Sequence, residues 1–142
     1  KKYIKYGLNF FPELKRKSKV FDIEKGTPRL ADITIISATL EHLNNPNNAI
    51  DKLCRSTKKI IFIRSFFGKK KIIKIFKNKK YIDNPYYINQ YSFKWMINKL
   101  KAYNFTEIKF MKDKATKGKM KNIWPSIKRR FYIVQASKVI NK

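Results

Sequence analysis

The chain has 142 residues, 43% of them hydrophobic, and a formal net charge of +26. This length suits one domain with one hydrophobic core, and the apolar content is near that of globular proteins, which excludes a wholly disordered chain. No apolar run approaches the roughly 20 residues that a membrane-spanning helix needs, and the start of the chain lacks the pattern of a secretory signal peptide.

The first part of the chain predicts two strands separated by a helix. Lys2–Phe10 alternates enough to form a strand, and Pro12 followed by Glu13 is typical of the first turn of a helix. A short strand, Lys19–Phe21, then runs into a polar turn that ends at Gly26.

The middle of the chain predicts a strand, a helix and a second strand. "ADITIISA" (31–38) is a nearly continuous apolar run, as in strands buried on both faces of a parallel sheet. Asn45 suits the N-cap of the following helix and Pro46 its first turn. The predicted apolar face of this helix consists of Ala49, Ile50, Leu53 and Cys54. "KKIIFIRSFF" (58–67) is then another buried strand.

The last part of the chain predicts an excursion, a helix and two closing strands. The Lys-rich segment 68–91 is irregular, and we expect it to cross one edge of the domain. Ser92 caps the clearest helix of the chain, whose apolar residues recur at helical spacing. "TEIKFM" (106–111) and "RRFYIVQAS" (129–137) are strands joined by a Lys-rich loop, 112–128.

The alternation of strands and helices predicts an α/β domain with a doubly wound, mostly parallel sheet covered on both faces. No clear helix separates the two closing strands, so we expect them to form an antiparallel pair at one edge. In such sheets ligands bind beyond the carboxyl ends of the strands, which makes the residues just after each strand the candidates for a site.

Two interpretations of the positive charge are open. Lysine and arginine that neutralise phosphates give salt-sensitive affinity for a polyanion such as RNA. Alternatively the charge is compositional, because nearly all of it is lysine spread along the whole chain, with only six arginines. The tightest runs, Lys69–Lys71 and Lys77–Lys80, flank one segment.

The stretch "ADITIISATLEHLNNPNNAIDKL" (31–53) is similar to the fourth-strand motif of class I S-adenosylmethionine-dependent methyltransferases. Asp32 opens the apolar strand, Leu40–Leu43 reads Leu-Glu-His-Leu, and Asn45 and Pro46 form the turn into a helix. "YGLNFFPEL" and "VFDIEKG" resemble the ends of the second and third strands of that family. "YSFKWMINKLKAYNFTEIKF" and "RFYIVQASK" resemble its late helix and terminal strand pair.

The resemblance covers nearly the whole chain and implies one methyltransferase-like, Rossmann-like domain over residues 1–142, beginning near the second strand of the family. The first strand of the family and its glycine-rich loop have no counterpart, since the four glycines are isolated. In the family order that strand lies centrally, so its loss would leave backbone groups without ladder partners. We therefore expect an N-terminally incomplete chain; the alternative is a decayed or unusual relative.

The same resemblance implies a cofactor site for S-adenosylmethionine. Asn9 stands where an acid would accept from both ribose hydroxyls, although an amide accepts with one oxygen only. Asp22 would contact the adenine amino group and Ile23 the ring, whereas Asp22 as a plain turn residue is the alternative. Ser37 and Ala38 would line the sulfonium end, or simply terminate their strand.

No catalytic residue and no metal site are assigned from the sequence. Glu41 and His42 lack a companion cluster, and in the resembled family this pair mostly packs or caps a helix. Cys54 lies on an apolar helix face, which favours a buried, inert thiol. A single cysteine excludes an internal disulfide, and with one histidine it excludes a recognisable zinc site, so a cytoplasmic location is expected. The tyrosines and amides of "YIDNPYYINQYS" (81–92) are candidates for the acceptor side, or anchors of an ordinary loop.

The resemblance thus implies methyl transfer from S-adenosylmethionine to an unidentified acceptor by direct displacement. Such chemistry depends on alignment and proximity and needs few catalytic side chains. One alternative is a noncatalytic basic module that binds nucleic acid on a methyltransferase-like scaffold. Another is a degenerate subunit that supports an active partner.

Overall fold

The computed structural model describes residues 21–73, 75–76, 86–116, 118–124 and 127–139. The predicted strand Lys2–Phe10 and the predicted helix start at Pro12 lie outside these residues, as does most of the short strand before Phe21. In chain order the elements are β1 (Ala31–Ser37), α1 (Pro46–Ser56), β2 (Thr57–Gly68), β3 (Ile75–Phe76), β4 (Tyr86–Tyr87), β5 (Tyr91–Ser92), α2 (Phe93–Lys101), β6 (Phe105–Lys112), β7 (Lys121–Trp124), β8 (Ile127–Arg129) and β9 (Phe131–Lys138).

The main sheet has the strand order β1-β2-β9-β6, and β5 pairs with the far end of β2. β1 is parallel to β2, in a register that places Ile33 opposite Ile60 and Ile36 opposite Ile63. β9 is antiparallel to both β2 and β6. The predicted antiparallel pair at one edge of the sheet is therefore confirmed, and β1, β2 and β6 run in the same direction.

Helix α1 begins as the sequence predicts. The Asn45 side chain accepts a hydrogen bond from the backbone N–H of Asn48 at 3.3 Å, and Pro46 occupies the first turn. This cap satisfies one of the N–H groups that have no partner within the helix, and proline loses no helical hydrogen bond there. The apolar face predicted for this helix is buried as expected.

Helix α2 is capped by Ser92, whose hydroxyl accepts from the backbone N–H of Trp95 at 3.1 Å. Met96 and Leu100 lie one turn apart and are completely buried, as their helical spacing predicts. The chain leaves the helix through Asn104, whose φ of 64° lies in the left-handed region that asparagine tolerates better than most residues.

Both helices pack on the same face of the sheet, which we call the helix face. Because side chains alternate along a strand, residues at every second position of β2 point to this face, and they meet every second residue of β9. The core residues that the sheet and the two helices share are Ala49, Ile50, Leu53, Cys54, Ile61, Ile63, Phe67, Met96, Leu100, Val134 and Ala136.

The opposite face of the sheet, which we call the open face, is exposed at β1. Ile33 and Ile35 are 54% and 74% exposed. The prediction that β1 is buried on both faces is therefore wrong for these two residues, because the two α-helices of the described residues lie on the helix face. Ile36, which points to the helix face, packs against the core.

The segment 112–128 is more structured than the loop that the sequence predicts. A 3-10 turn, Lys114–Thr116, follows β6, and β7 and β8 form an antiparallel pair. In the excursion, β3 pairs with β4, and Ile72 pairs with Gln90 in an isolated antiparallel bridge. Among the described residues no helix is long and apolar enough to cross a membrane.

Candidate functional site

The carboxyl ends of the parallel strands β1 and β2 meet at one edge of the sheet, which we call the carboxyl edge. Ser37 ends β1 there, and both Ser37 and Ala38 are exposed. Ala38 has a φ of 50°, a left-handed conformation that is uncommon for a residue with a Cβ, while its N–H donates to the carbonyl of Arg64 at 2.9 Å. The structure thus places both predicted residues beyond the strand end and open to solvent.

Asp22 and Ile23, the predicted adenine-side residues, lie in a turn. One carboxylate oxygen of Asp22 accepts from the backbone N–H of Glu24 at 3.0 Å, and the other lies 4.0 Å from the Lys25 ammonium. The Asp22 side chain is 55% exposed, so these local contacts leave it accessible to a ligand. Ile23 is partly buried and packs against the core.

Glu24 fixes this turn against the start of α1. Its carboxylate accepts from the backbone N–H of Asn45 at 2.6 Å, and its carbonyl accepts from the Asn48 amide at 3.0 Å and from the Lys52 ammonium at 2.9 Å. Because α1 starts at the carboxyl edge, these bonds hold the 22–24 turn at the same edge as Ser37. The sequence reasoning missed Glu24, since its partners lie more than 20 residues away along the chain and no local pattern marks them.

The Glu41 carboxylate is buried and hydrogen-bonded within the protein, which favours a structural role over a catalytic one. Glu41 is 1% exposed, and one of its carboxylate oxygens accepts from the Ser65 hydroxyl of β2 at 2.7 Å. The other oxygen lies 4.0 Å from Nε2 of His42. His42 Nδ1 lies 2.8 Å from the carbonyl of Tyr87, and because a carbonyl can only accept, Nδ1 is the donor.

The returning end of the excursion is bound to the Leu40–Leu43 turn. The backbone N–H of Asn89 donates to the carbonyl of Glu41 at 2.8 Å, and its side-chain amide donates to the carbonyl of Leu43 at 2.9 Å. The hydroxyl of Tyr91 donates to the carbonyl of Leu40, and burial raises the pKa of this phenol. The Leu-Glu-His-Leu turn therefore holds residues 87–91, the returning end of the excursion, by hydrogen bonds.

A shallow cavity of about 320 Å³ lies on the open face next to Ser37. Its walls are almost wholly apolar, and Arg64 is the one charged residue among the described residues that line it. The Arg64 guanidinium donates to one Asp113 oxygen at 2.7 and 3.2 Å and lies 4.1 Å from the centre of the Phe131 ring. The hydrogen bond from Arg64 holds the pKa of the Asp113 carboxyl below its usual range.

The predictions for Asn9 and for Cys54 have different outcomes. Asn9, the predicted ribose-side residue, lies outside the described residues, and so do residues 81–85 of the Tyr-rich stretch 81–92. Cys54 is fully buried, and burial raises the pKa of its thiol to about 12, as expected of an inert core cysteine. Among the described residues no three His, Cys, Asp or Glu side chains are arranged to hold a metal ion.

Comparison with known proteins identifies the fold through structure alone. No protein-family model matches the sequence, and no curated protein matches it. A SAM-dependent methyltransferase from Methanosarcina mazei is 11% identical with a TM-score of 0.56, over 87% of this chain and 67% of its own. The Burkholderia thailandensis 1,6-didemethyltoxoflavin-N1-methyltransferase, with bound 1,6-didemethyltoxoflavin and S-adenosylhomocysteine, is also 11% identical with a TM-score of 0.56, over 92% and 56% of the two chains.

The N-terminal domain of EvdMO1 with SAH bound is likewise 11% identical, with a TM-score of 0.55 over 85% of this chain and 53% of that one. The chain therefore has the class I methyltransferase fold, as its resemblance to that family predicts. It spans about half to two thirds of the length of these three solved chains.

Proposed function

We propose that this chain carries part of the S-adenosylmethionine site of a methyltransferase and takes part in methyl transfer to an acceptor. The observation that carries the proposal is the open carboxyl edge at Ser37 and Ala38 in a class I methyltransferase fold. In open α/β sheets ligands bind outside the carboxyl ends of the strands, and here the residues at the strand end, Ser37 and Ala38, are exposed. A cytoplasmic location, which the single reduced thiol of Cys54 favours, belongs to the same proposal.

The residues at this edge suit the parts of the cofactor that the resemblance assigns to them. Asp22 offers an accessible carboxylate to an exocyclic amino group, and Ile23 offers an apolar side chain to a ring. Ser37 and Ala38 would line the sulfonium end, with Asn9 on the ribose side. When bound, S-adenosylmethionine supplies an electrophilic methyl group, and its transfer leaves S-adenosylhomocysteine.

The protein contributes alignment to this reaction. The Leu40–Leu43 turn and the excursion that Asn89 and Tyr91 fasten to it would hold the acceptor in line with the methyl group. Well-oriented reactants gain a large part of their rate from proximity alone, so no general base is required among these residues. Glu41 keeps a structural role in this scheme, because its carboxylate is buried and bonded to Ser65.

The test is a calorimetric titration of S-adenosylhomocysteine into the purified chain at moderate salt. We expect a dissociation constant in the micromolar range, and we expect Asp22→Ala to weaken binding about tenfold, the loss of one good hydrogen bond. Asp32→Ala is the matched control, because Asp32 is equally exposed but lies at the other end of β1.

Binding that Asp22→Ala weakens and Asp32→Ala leaves unchanged supports the proposed site. A folded chain that binds no S-adenosylhomocysteine contradicts a cofactor site in these 142 residues. In that case the noncatalytic nucleic-acid-binding alternative gains weight, and its affinity for nucleic acid would fall steeply with salt.

A further inference from the structure

The lysines of the described residues are not distributed evenly around the sheet. β2 and β6 end at the carboxyl edge, and β9 begins there because it is antiparallel to both. The ends of β2 and β6, the segments that follow them and the segment that precedes β9 carry most of the exposed lysines near Ser37 and Ala38. The lysines of this group, which we call the edge lysines, are all exposed: Lys69, Lys70, Lys71, Lys112, Lys114, Lys119 and Lys128.

None of the edge lysines forms an ion pair with an acidic residue of the described part of the chain. The described lysine–carboxylate pairs involve other lysines: Lys25 with Asp22, in the turn at the β1 side of the carboxyl edge, Lys59 with Asp32, and Lys99 with Asp51. Two carboxylates do lie at the strand ends near the edge lysines, but both are withdrawn from solvent. Glu41 is 1% exposed and bonded to Ser65, and Asp113 is 3% exposed and paired with Arg64.

Two lysines at the opposite end of the sheet, Lys59 and Lys138, have structural partners, whereas Lys58 and Lys101 near that end are exposed and form no ion pair among the described residues. The Lys138 ammonium donates to the carbonyls of Cys54 and Thr57 at 3.2 and 2.7 Å, and Lys59 lies 3.3 Å from Asp32. The edge lysines repel one another without such compensation, and this repulsion costs stability. Among the described residues, seven exposed lysines without a carboxylate partner lie at the carboxyl edge and only two near the opposite end, and this difference in number indicates a polyanionic ligand at the carboxyl edge.

We propose that the methyl acceptor is a nucleic acid whose phosphates are bound by the edge lysines. This inference rests on the proposed methyl transfer and names its substrate class. Neighbouring strands lie about 4.8 Å apart, so the ends of β2, β9 and β6 span about 10 Å, the length of about three stacked nucleotides. Phosphates bound along this line would place one base over the carboxyl ends of β1 and β2, beside Ser37.

The chemical step balances with the proposed cofactor alone. The lone pair of a base nitrogen or a ribose oxygen forms a bond to the methyl carbon while the carbon–sulfur bond breaks. The electron pair of that bond stays on sulfur, which becomes the neutral thioether of S-adenosylhomocysteine, and the acceptor releases its proton to solvent.

The test measures the binding of fluorescein-labelled single-stranded RNA of about 20 nucleotides by anisotropy, a length that exceeds typical sites of about 4–16 nucleotides. The variant Lys69→Gln/Lys70→Gln/Lys71→Gln removes three edge lysines. The matched control, Lys58→Gln/Lys101→Gln/Lys109→Gln, removes three exposed lysines away from the carboxyl edge, so both variants lose the same charge. Circular dichroism checks that each variant is folded.

We expect the edge variant to bind RNA at least about tenfold more weakly between about 50 and 200 mM salt. The slope of the logarithm of its affinity against the logarithm of the salt concentration should become smaller in magnitude by about 2, or about 0.7 for each lost phosphate contact. The control variant should weaken binding less than about threefold. Transfer of tritiated methyl from S-adenosylmethionine to total cellular RNA should fall in the edge variant by a similar factor.

Equal weakening by the two variants overturns the inference, because charge alone would then explain the binding. Vesicles containing phosphatidylserine are the competing probe; edge-dependent vesicle binding without RNA binding also overturns it. The titration with S-adenosylhomocysteine separates the two proposals. Cofactor binding with no edge-dependent RNA binding removes only the nucleic-acid acceptor, whereas edge-dependent RNA binding without cofactor binding removes the methyl transfer and the acceptor role with it.

Discussion

The isoleucines of the helix face and those of the open face differ in how far they are buried, although both faces belong to the same apolar strands. On the helix face Ile61 and Ile63 are completely buried, whereas Ile33 and Ile35, which point to the open face, are 54% and 74% exposed. Isoleucine favours strand conformation in either environment, because its branched side chain fits a pleated surface. The contribution of an isoleucine to the free energy of unfolding therefore depends on whether other elements cover it. The same substitution should have a larger effect at a buried position of the helix face than at an exposed position of the open face.

The largest expected difference between the faces is in thiol reactivity. Cys54 is fully buried under the helix face and burial raises its thiol pKa to about 12, so at pH 8 the native protein should react with a disulfide reagent about a thousandfold more slowly than the protein in denaturant. The measurement is the rate of absorbance change with Ellman's reagent. An Ile35→Cys/Cys54→Ser variant, with its thiol on the open face, should react at once. Equal rates for native and denatured Cys54 would contradict the buried assignment.

A cavity on the helix face should cost more stability than the same substitution at an exposed position of the open face. Ile63→Ala removes buried methylene groups from the core and should lower the free energy of unfolding by about 2–5 kcal/mol. Urea denaturation followed by circular dichroism gives this value. Ile35→Ala is the matched control and should change it by less than about 0.5 kcal/mol.

Two serine–glutamate hydrogen bonds, one to a buried carboxylate and one to an exposed carboxylate, allow a second comparison of the effect of burial. Ser65 donates to the buried Glu41 carboxylate on the helix face, so Ser65→Ala should cost about 1–3 kcal/mol of unfolding free energy, because a buried acceptor loses its partner. Ser137 donates to the exposed Glu107 carboxylate at 2.8 Å, where water replaces the lost donor, and Ser137→Ala should cost less than about 0.5 kcal/mol. Similar losses for the two variants, by urea denaturation, would show that burial does not govern these bonds.

The smallest of these effects concerns pH and the pair of Arg64 with Asp113. Because Arg64 lowers the folded-state pKa of Asp113, the pair stabilises the protein above the ordinary aspartate pKa of about 3.9, and this stabilisation is lost as the pH falls through the folded-state value. Asp113→Asn should flatten the pH dependence of stability below about pH 4. Asp32→Asn, which breaks an exposed pair with Lys59, should leave that dependence nearly unchanged. Thermal melts across the acid range measure both.

Local signals in the sequence predicted most elements correctly. The caps at Asn45 and Ser92 act within three residues of themselves, and the apolar run of "KKIIFIRSFF" forms a central strand. The exposed positions of Ser37 and Ala38 followed from the end of a predicted strand. By contrast Glu24 and Arg64 were missed, because their partners lie more than 20 residues away along the chain and only the fold brings them together.

The sequence by itself determined where the two α-helices and the strands β1, β2, β6 and β9 form, the antiparallel pair at the edge, the buried position of Cys54 and the class of fold. These properties depend on side-chain periodicity, caps and apolar character, which act over a few residues. The tertiary structure alone decided which face of β1 is covered and which lysines remain unpaired at the carboxyl edge. Both depend on contacts between segments distant in the chain, and residue spacing along one strand carries no information about what packs on either side of it.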